Sequence, residues 1–456
     1  MLFQSQIFIL VFLPSVLAAY FAVARSAGAR QFALIVASLV FYAWWDIRFV
    51  PLVVGQIFIT WACAWLNERW GVKWFLTAGI IANLASLGTF KYLDFVLDVL
   101  NSVSGRTFAP ANLVLPIGIS FFTFQLISYL VDRWRGNAPI YPLRTFTLFV
   151  LFFPHLVAGP IVRHNELIPQ FVANPVNPAM WPRVGAGLFL FTLGFAKKVL
   201  LADPLGGIVD PLFATAGTQW LNFGQAWTAA LGFSLQLFLD FSAYTEMAIG
   251  IALLFGLVLP ENFRRPYLSQ DLRDFWRRWH ISLSNFFRDY VYIALGGSRA
   301  GRARFVAATL ITMGLCGLWH GAGFTFVAWG LWHGLGLLVC RSWQRFGRPL
   351  PAVAAWLITM LFVLVGWVLF RARSFTVAAS MLGSMTGTVG LHGGLQGIKY
   401  LVGGALVSLL IPSAHELKDL SLRPNRVVAA GAAVLAVVCV LLVGDEAPVS
   451  FIYFQF

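Results

Sequence analysis

The run VVAAGAAVLAVVCVLLV, from Val427 to Val443, contains no charged side chain, and FALIVASLVFYAWW, from Phe32 to Trp45, repeats its character near the opposite end of the chain. Each approaches the ~20 apolar residues that carry a helix across a bilayer. The 456 residues between and around them are of the same kind, 59% hydrophobic and only 11% charged, where a soluble domain carries about 25% charge. This is the composition of an all-α polytopic membrane protein, and no part of it reads as an independent soluble domain. Residues 1–456 form one integral membrane domain on this reading.

Apolar segments recur at residues 5–24, 32–47, 49–67, 75–98, 112–131, 145–162, 183–203, 222–241, 242–259, 305–321, 322–341, 353–371, 398–413 and 427–444. The first, QIFILVFLPSVLAAYFAV, has no basic residue before it, so it reads as a first span rather than a cleaved leader. VLPIGISFFTFQLISYLVD and LFFPHLVAGPIVRHNE hold Pro, Gly and polar groups, and they suit kinked or non-crossing segments set inside protein. Arg25 and Arg30 follow the first span. Lys418, Arg423 and Arg426 precede the last, and Asp445 and Glu446 follow it. Both termini should face outward, which requires an even number of crossings, about ten or twelve.

The net charge of +14 lies mostly between hydrophobic segments, as topology demands, and no module of nucleic-acid-binding type accompanies it. Cys63, Cys316, Cys340 and Cys439 sit in apolar segments, with spacing that fits neither a disulfide framework nor a metal site. The exception to the apolar pattern is ENFRRPYLSQDLRDFWRRWHISLSNFFRDYVYIALGGSRAGRAR, residues 261–304. It is too charged to span and too aromatic for a solvated loop, which suits interfacial or re-entrant helices. Helical spacing puts Phe275, Trp279 and Ser282 on one face, and Arg277, His280 and Ser284 on another. Pro266 is placed to open the segment, and Gly296–Gly297 to end it.

Two histidines sit in matching frames, GLCGLWHGAGF (Gly314–Phe324) and GLWHGLG (Gly330–Gly336). A buried neutral imidazole accepts a proton at neutral pH, which suits activation of a hydroxyl that attacks an acyl group. His320 therefore reads either as such a base, with Trp319 as a flat wall beside it, or as a polar group bonded to a neighbouring helix. His333 reads as structural. His155 suits a pore lining or a kink, and His164, His392 and His415 read as loop residues. Asp240, in an apolar segment, needs a partner. A transporter would also use broken helices and intramembrane polar groups, yet no pair of inverted halves is visible.

The run DLRDFWRRWHISLSNFFRDYVYIALGG followed by LWHG resembles the membrane-bound O-acyltransferase (MBOAT) superfamily. The opening MLFQSQIFILVFLP, then PIGISFFTFQLISYLVD, HLVAGPIVR, LDFSAYTEMAIGIALLFG and the closing FIYFQF are similar to its bacterial branch of alginate O-acetylation and D-alanylation membrane proteins. The likeness weakens between Thr376 and Val427. It implies a ring of tilted helices around a thin constriction where a cytosolic and an extracytoplasmic funnel meet. It also implies a catalytic role for His320, with His280 as the second conserved polar position. By the same resemblance the protein is an O-acetyltransferase of the bacterial inner membrane. It would move acetyl groups from cytosolic acetyl-CoA to an extracytoplasmic polysaccharide such as alginate, cellulose or peptidoglycan, aided by a periplasmic SGNH/esterase-like partner. No permanently bound cofactor is expected. Arg277, Arg278, Trp279 and Trp319 become candidates for holding the donor, with headgroup anchoring as the other reading of the arginines. Asp289 and Tyr290 would shape the donor funnel, and Gln125, Ser128, Tyr129 and Asp132 would line the second one. The terminal motif, residues 450–456, resembles a tail in the D-alanylation system, which makes Tyr453 a candidate acyl relay. D-alanyl transfer from a carrier protein is the alternative activity, and polytopic transport a more distant one.

Overall fold

The structure is a computed structural model and describes residues 1–299, 301–414, 416–417, 426–444 and 451–452. All regular structure among these residues is helical. The helices are α1 (Leu13–Ala22), α2 (Ala27–Ala43), α3 (Val50–Trp70), α4 (Trp74–Ser104), α5 (Ile119–Trp134), α6 (Leu143–Leu151), α7 (Phe153–Leu156), α8 (His164–Leu167), α9 (Met180–Lys197), α10 (Asp203–Thr215), α11 (Phe223–Leu254), α12 (Leu272–Arg278), α13 (Ile281–Phe286), α14 (Arg302–His320), α15 (Phe324–Phe346), α16 (Ala352–Arg371), α17 (Phe375–Met385), α18 (Ile398–Leu410) and α19 (Arg426–Val443). Among the described residues, eight helices are long and apolar enough to cross a membrane, and four shorter apolar ones accompany them. Tyr453 and the rest of the terminal motif beyond Ile452 lie outside the described residues, as does His415.

The helix boundaries follow local chemistry. Ser26 caps α2 by accepting the Ala29 N–H, and Ser374 does the same for α17 through Val377. Gly71, in the left-handed region at φ 68°, ends α3 and returns its N–H to the Asn67 carbonyl. Segment 112–131 is helical only from Ile119, because Gly118 at φ +75° turns the chain where a Cβ would meet the Leu156 carbonyl at 2.6 Å. Segment 145–162 is broken. The chain leaves α6 at Phe152 (φ −48°, ψ 103°), makes the short α7 with Pro154 in its first turn, and continues as buried irregular backbone. Expected spans 222–241 and 242–259 are instead the single helix α11 of 32 residues, and its most apolar stretch is wholly buried. Asp240, which needed a partner in its apolar segment, is paired with Lys198 at 2.9 Å and stays inside the helix.

The chain forms two compact units. One comprises Met1–Thr192, Tyr244–Pro260 and Ser421–Pro448, and the other Leu193–Ala243, Glu261–Leu420 and Val449–Phe456. Rings of Phe8, Phe41 and Phe153 cluster in the core of the first, with Phe3 stacked on Tyr244 at 4.7 Å. Tyr20 donates to the Phe255 carbonyl at 2.9 Å. Thr60 and Asn83 join α3 to α4 at 2.8 Å, a polar tie between apolar helices.

The second unit explains the duplicated sequence frame. α14 and α15 cross with their backbones in contact, and the glycine three residues before each histidine, Gly317 and Gly330, lies at the crossing. A Cβ on Gly317 would overlap the Phe326 carbonyl, and one on Gly330 would overlap the Met313 carbonyl. Backbone atoms cannot move aside as a side-chain tip can, so even a methyl group is excluded. Gly330→Ala should therefore cost about 1–3 kcal/mol or more, whereas Gly314→Ala, whose nearest neighbour would be Leu331 at 3.6 Å, should be tolerated. Thermal unfolding of the two variants in detergent checks the contrast.

Candidate active site

The α14–α15 crossing delivers His320 to the last position of α14, where the chain turns out at Gly321. The imidazole is buried and boxed by rings, with centroids of Trp319, Trp329 and Phe370 at 4.9, 5.1 and 5.2 Å. His280 lies at 6.4 Å between ring centroids. The structure thus brings the two candidate histidines together.

His280 arrives there by a different device from the one its sequence suggests. The expected continuous helix across RRWHISL is broken. Trp279 is extended, and His280 adopts φ 43°, ψ 55°, a left-handed conformation uncommon for a residue with a Cβ. The face assignment drawn across residues 275–284 fails for that reason. Pro266 opens only a short 3-10 turn, and α12 is started by Asp271, whose carboxylate accepts the Asp274 N–H at 2.8 Å. Gly296 and Gly297, both at positive φ, follow the helical turns as expected.

Asn262 holds the break in place. Its amide oxygen accepts the Ser282 N–H at 3.2 Å and the Ser282 hydroxyl at 2.9 Å, and lies 3.1 Å from His280 Nδ1. Its backbone carbonyl accepts the Ile281 N–H at 2.9 Å. A backbone N–H can only donate, so the Ser282 contact identifies this amide atom as oxygen, and His280 Nδ1 must carry the proton. The basic nitrogen of His280 is then Nε2. Burial pushes this imidazole from its ordinary 6.5 down to about 3, so it is a neutral hydrogen-bonding group at neutral pH. Nothing in the spacing of the sequence distinguishes Asn262 from other polar residues of the segment.

The second unit also holds a cavity of about 530 Å³, whose lining includes Ile281, the residue after His280, but neither histidine. Arg273, Arg277, Arg288 and Arg341 line it, as do Thr312 and Cys316 of α14. Cys316 stands one helical turn before His320. Arg273 bonds Gln344 at 2.7 Å, Arg288 pairs with Asp289 at 2.7 Å, and Arg341 covers the Phe305 ring at 4.3 Å. Arg277 is exposed and makes no side-chain hydrogen bond or ion pair with a described residue. Arg278, by contrast, is bound to both oxygens of Asp274 at 2.9 Å. Trp279 is buried between Phe275 and Trp367, and Trp319 packs against both histidines. Tyr290 packs on Phe286, and Asn285, given no role by its sequence, lines the cavity.

A model of the membrane-bound O-acyltransferase family matches residues 124–382, more than half of the chain and both histidines. The chain belongs to this family. It is 38% identical over 429 residues to the peptidoglycan O-acetyltransferase of Helicobacter pylori, covering 86% of this chain and 80% of that protein. It is 40% identical over 401 residues to the probable alginate O-acetylase AlgI of Pseudomonas aeruginosa, with 84% and 75% covered. A Teichoic acid D-alanyltransferase of Streptococcus thermophilus is 31% identical over 238 residues, with 50% and 57% covered. The protein is an O-acyltransferase with multiple membrane helices.

Several of the remaining polar candidates of this acyltransferase have local partners. His333 is sealed among Phe275, Trp276, Trp329 and Trp367, and neither ring nitrogen has a hydrogen-bond partner among the described residues, which suits a structural role. In the first unit, Gln125 contacts His155 at 3.0 Å, Ser128 donates to the Gln125 carbonyl and Tyr129 to that of Pro139. His164 is no loop residue. It is buried between Tyr141 at 2.9 Å and Asp132 at 3.2 Å. His392 is in an exposed loop.

Asn262→Ala should leave His280 Nδ1–H without its acceptor and destabilise the protein by about 1–3 kcal/mol, with a loss of acyl transfer measured on the folded fraction. The pH dependence follows from the depressed His280 value. The unfolded imidazole takes up a proton near 6.5, while the native one resists it down to about 3. The His280 contribution to stability is complete above pH 6.5 and falls as the pH is lowered through that window. His280→Gln should flatten the stability curve between pH 6.5 and 4.

Proposed function

We propose that this protein is an O-acetyltransferase of the bacterial inner membrane, which takes acetyl groups from cytosolic acetyl-CoA for O-acetylation of an extracytoplasmic polysaccharide. The observation that carries this reading is the arginine-lined cavity whose wall includes Cys316, one turn from His320. Coenzyme A carries phosphates at one end and a slender pantetheine arm at the other. Arg277, with no side-chain hydrogen bond or ion pair among the described residues, suits the phosphates through its planar fork. Thr312 Oγ1 and Trp276 Nε1, which line the cavity without a hydrogen-bond partner among the described residues, suit the amides of the arm. Similarity to an alginate O-acetylase and a peptidoglycan O-acetyltransferase supports a glycan as the final acceptor. The acidic end of the chain at Asp445 and Glu446, against basic residues before its last span, supports an outward carboxyl terminus, and the charge-free start supports an outward amino terminus.

His320 acts as the base in this scheme. It takes the proton of the acceptor hydroxyl as that oxygen attacks the thioester carbonyl. The carbon–sulfur bond breaks, and the coenzyme leaves as a thiolate that is then protonated. His280, neutral and fixed through Nδ1, presents Nε2 as a hydrogen-bonding group that positions the reacting atoms. The immediate acceptor is the Tyr453 phenol. The acetyl-tyrosine ester then passes its acetyl group to the serine of a periplasmic SGNH/esterase-like partner, and the phenol is regenerated. Tyrosine suits this relay because its phenolate is a good leaving group.

Purified protein incubated with labelled acetyl-CoA, or with a carrier protein loaded with labelled D-alanine, tests the donor. Turnover of acetyl-CoA alone supports the reading, and turnover of the D-alanyl carrier alone replaces it with the chemistry of the teichoic acid relative. His320→Ala should reduce transfer by about 10²–10⁴-fold with the folded protein recovered. Arg277→Ala should raise the KM for acetyl-CoA by about tenfold, the effect of roughly 1.4 kcal/mol. Separately, Tyr453→Phe should abolish acetylation of the glycan while acetyl-CoA still binds, and full acetylation in that variant would remove the relay.

A further inference from the structure

The second unit buries a charged cluster of which no residue lines the arginine-rimmed cavity. Lys198 begins a π-helical turn, Lys198–Ala202, between α9 and α10. Such a turn adds a residue to the helical register and redirects a side chain, and it recurs at functional sites. The ammonium lies 2.7 Å from Asp203 and 2.9 Å from Asp240, and the Lys198 and Asp240 side chains are each only 3% exposed. The cluster holds one cation and two carboxylates. The second oxygen of Asp240 is engaged by a donor from far along the chain, the backbone N–H of Ile452 at 2.8 Å. Phe451 and Ile452 are themselves buried. The Phe451 ring packs against Phe241 at 5.7 Å, and Phe241 stands perpendicular to His280 at 4.7 Å. Phe451 and Ile452 are thus inserted into the core of the second unit, with the Phe451 ring one ring removed from His280.

We propose that the Lys198–Asp203–Asp240 cluster is the receptacle for the carboxyl-terminal segment, and that Asp240 is a positioning residue that sets the register of that segment beside the two histidines. A buried ion group is a poor filler for a core, since apolar side chains of similar volume often do as well or better. Its distinctive property is directional. A carboxylate held on one side by Lys198 offers its other oxygen to one N–H and no other, and a charge-assisted bond of that kind is stronger than a neutral one. Bonding the N–H of Ile452 selects which residue comes next, and that residue is Tyr453. A slip of the segment by one position would break the bond and present a phenylalanine or an isoleucine in its place. Phe451 adds the apolar half of the same fix. Asp240 itself touches no reacting atom.

The test uses full-length protein and two readouts. Ile452→Pro deletes the donor N–H and leaves the ion cluster intact. Asp240→Asn keeps an acceptor oxygen and loses the charge that Lys198 holds. Hydrogen exchange of the peptide covering residues 449–456 reports seating whether or not the enzyme has its donor, so it separates this inference from the acetyl-transfer reading on which its activity arm rests. Both variants should lose protection in that peptide and keep it across α14. Both should also lose at least tenfold in kcat with the KM for acetyl-CoA unchanged, and the double variant should be no worse than the weaker single one. A purely structural role would instead lower the thermal midpoint and shift both kinetic constants. Unchanged protection in Ile452→Pro, or lost protection with kcat unaltered, would overturn the proposal. Where Asp240→Asn yields no folded protein, Ile452→Pro alone decides.

Discussion

Backbone contact between Gly317 and Gly330 is the constraint on which the functional half of this protein depends. Membrane helices gain little from hiding apolar surface, because lipid is as apolar as leucine, and they associate by close packing. Where two helices touch without intervening side chains, their relative position is set to a fraction of an ångström. His320, one turn beyond the crossing, inherits that precision. Its ring then meets Trp329 and Phe370 of the neighbouring helices rather than lipid. In the proposed scheme, a base that must find a hydroxyl and a thioester carbonyl together needs this pre-set geometry.

The second histidine is placed by strain. A left-handed residue with a Cβ costs roughly 1–3 kcal/mol, and at His280 the bonds from Asn262 offset that cost. The arrangement couples two properties that need not have gone together. The same carbonyl that permits the turn also dictates which imidazole nitrogen keeps its proton. A change at Asn262 therefore alters backbone and protonation at once.

The class of the fold was legible in the sequence because lipid leaves few alternatives. Uncharged runs such as Val427–Val443 state their environment directly, and α19 covers that run almost unchanged. The duplicated frame around His320 was equally legible, since glycine and a buried polar residue have few uses in such a setting. Boundaries inside the protein were harder. Asp240 announced the need for a partner, but not which one, because Lys198 is remote in sequence. The helix through RRWHISL looked continuous because helical periodicity carries no trace of a turn that Asn262 imposes from outside it. His164 looked like a loop residue because its partners, Asp132 and Tyr141, come from separate segments. In each case the missing information was a partner far along the chain, and local pattern cannot supply it. The arginine-lined cavity belongs to the same class, since its arginines come from helices on either side of the α13–α14 connection.

Cys316 is buried in the wall of that cavity, and the other three cysteines are not part of its lining. A single thiol at this depth gives the chamber a chemical address. Maleimides or disulfides carried on a slender arm can be graded by length against it, turning the chamber into a ruler for whatever enters. The same residue offers an attachment point for a spectroscopic label whose signal would report filling and emptying in real time. It also marks where an electrophilic compound carried into the chamber would lodge, one helical turn from His320.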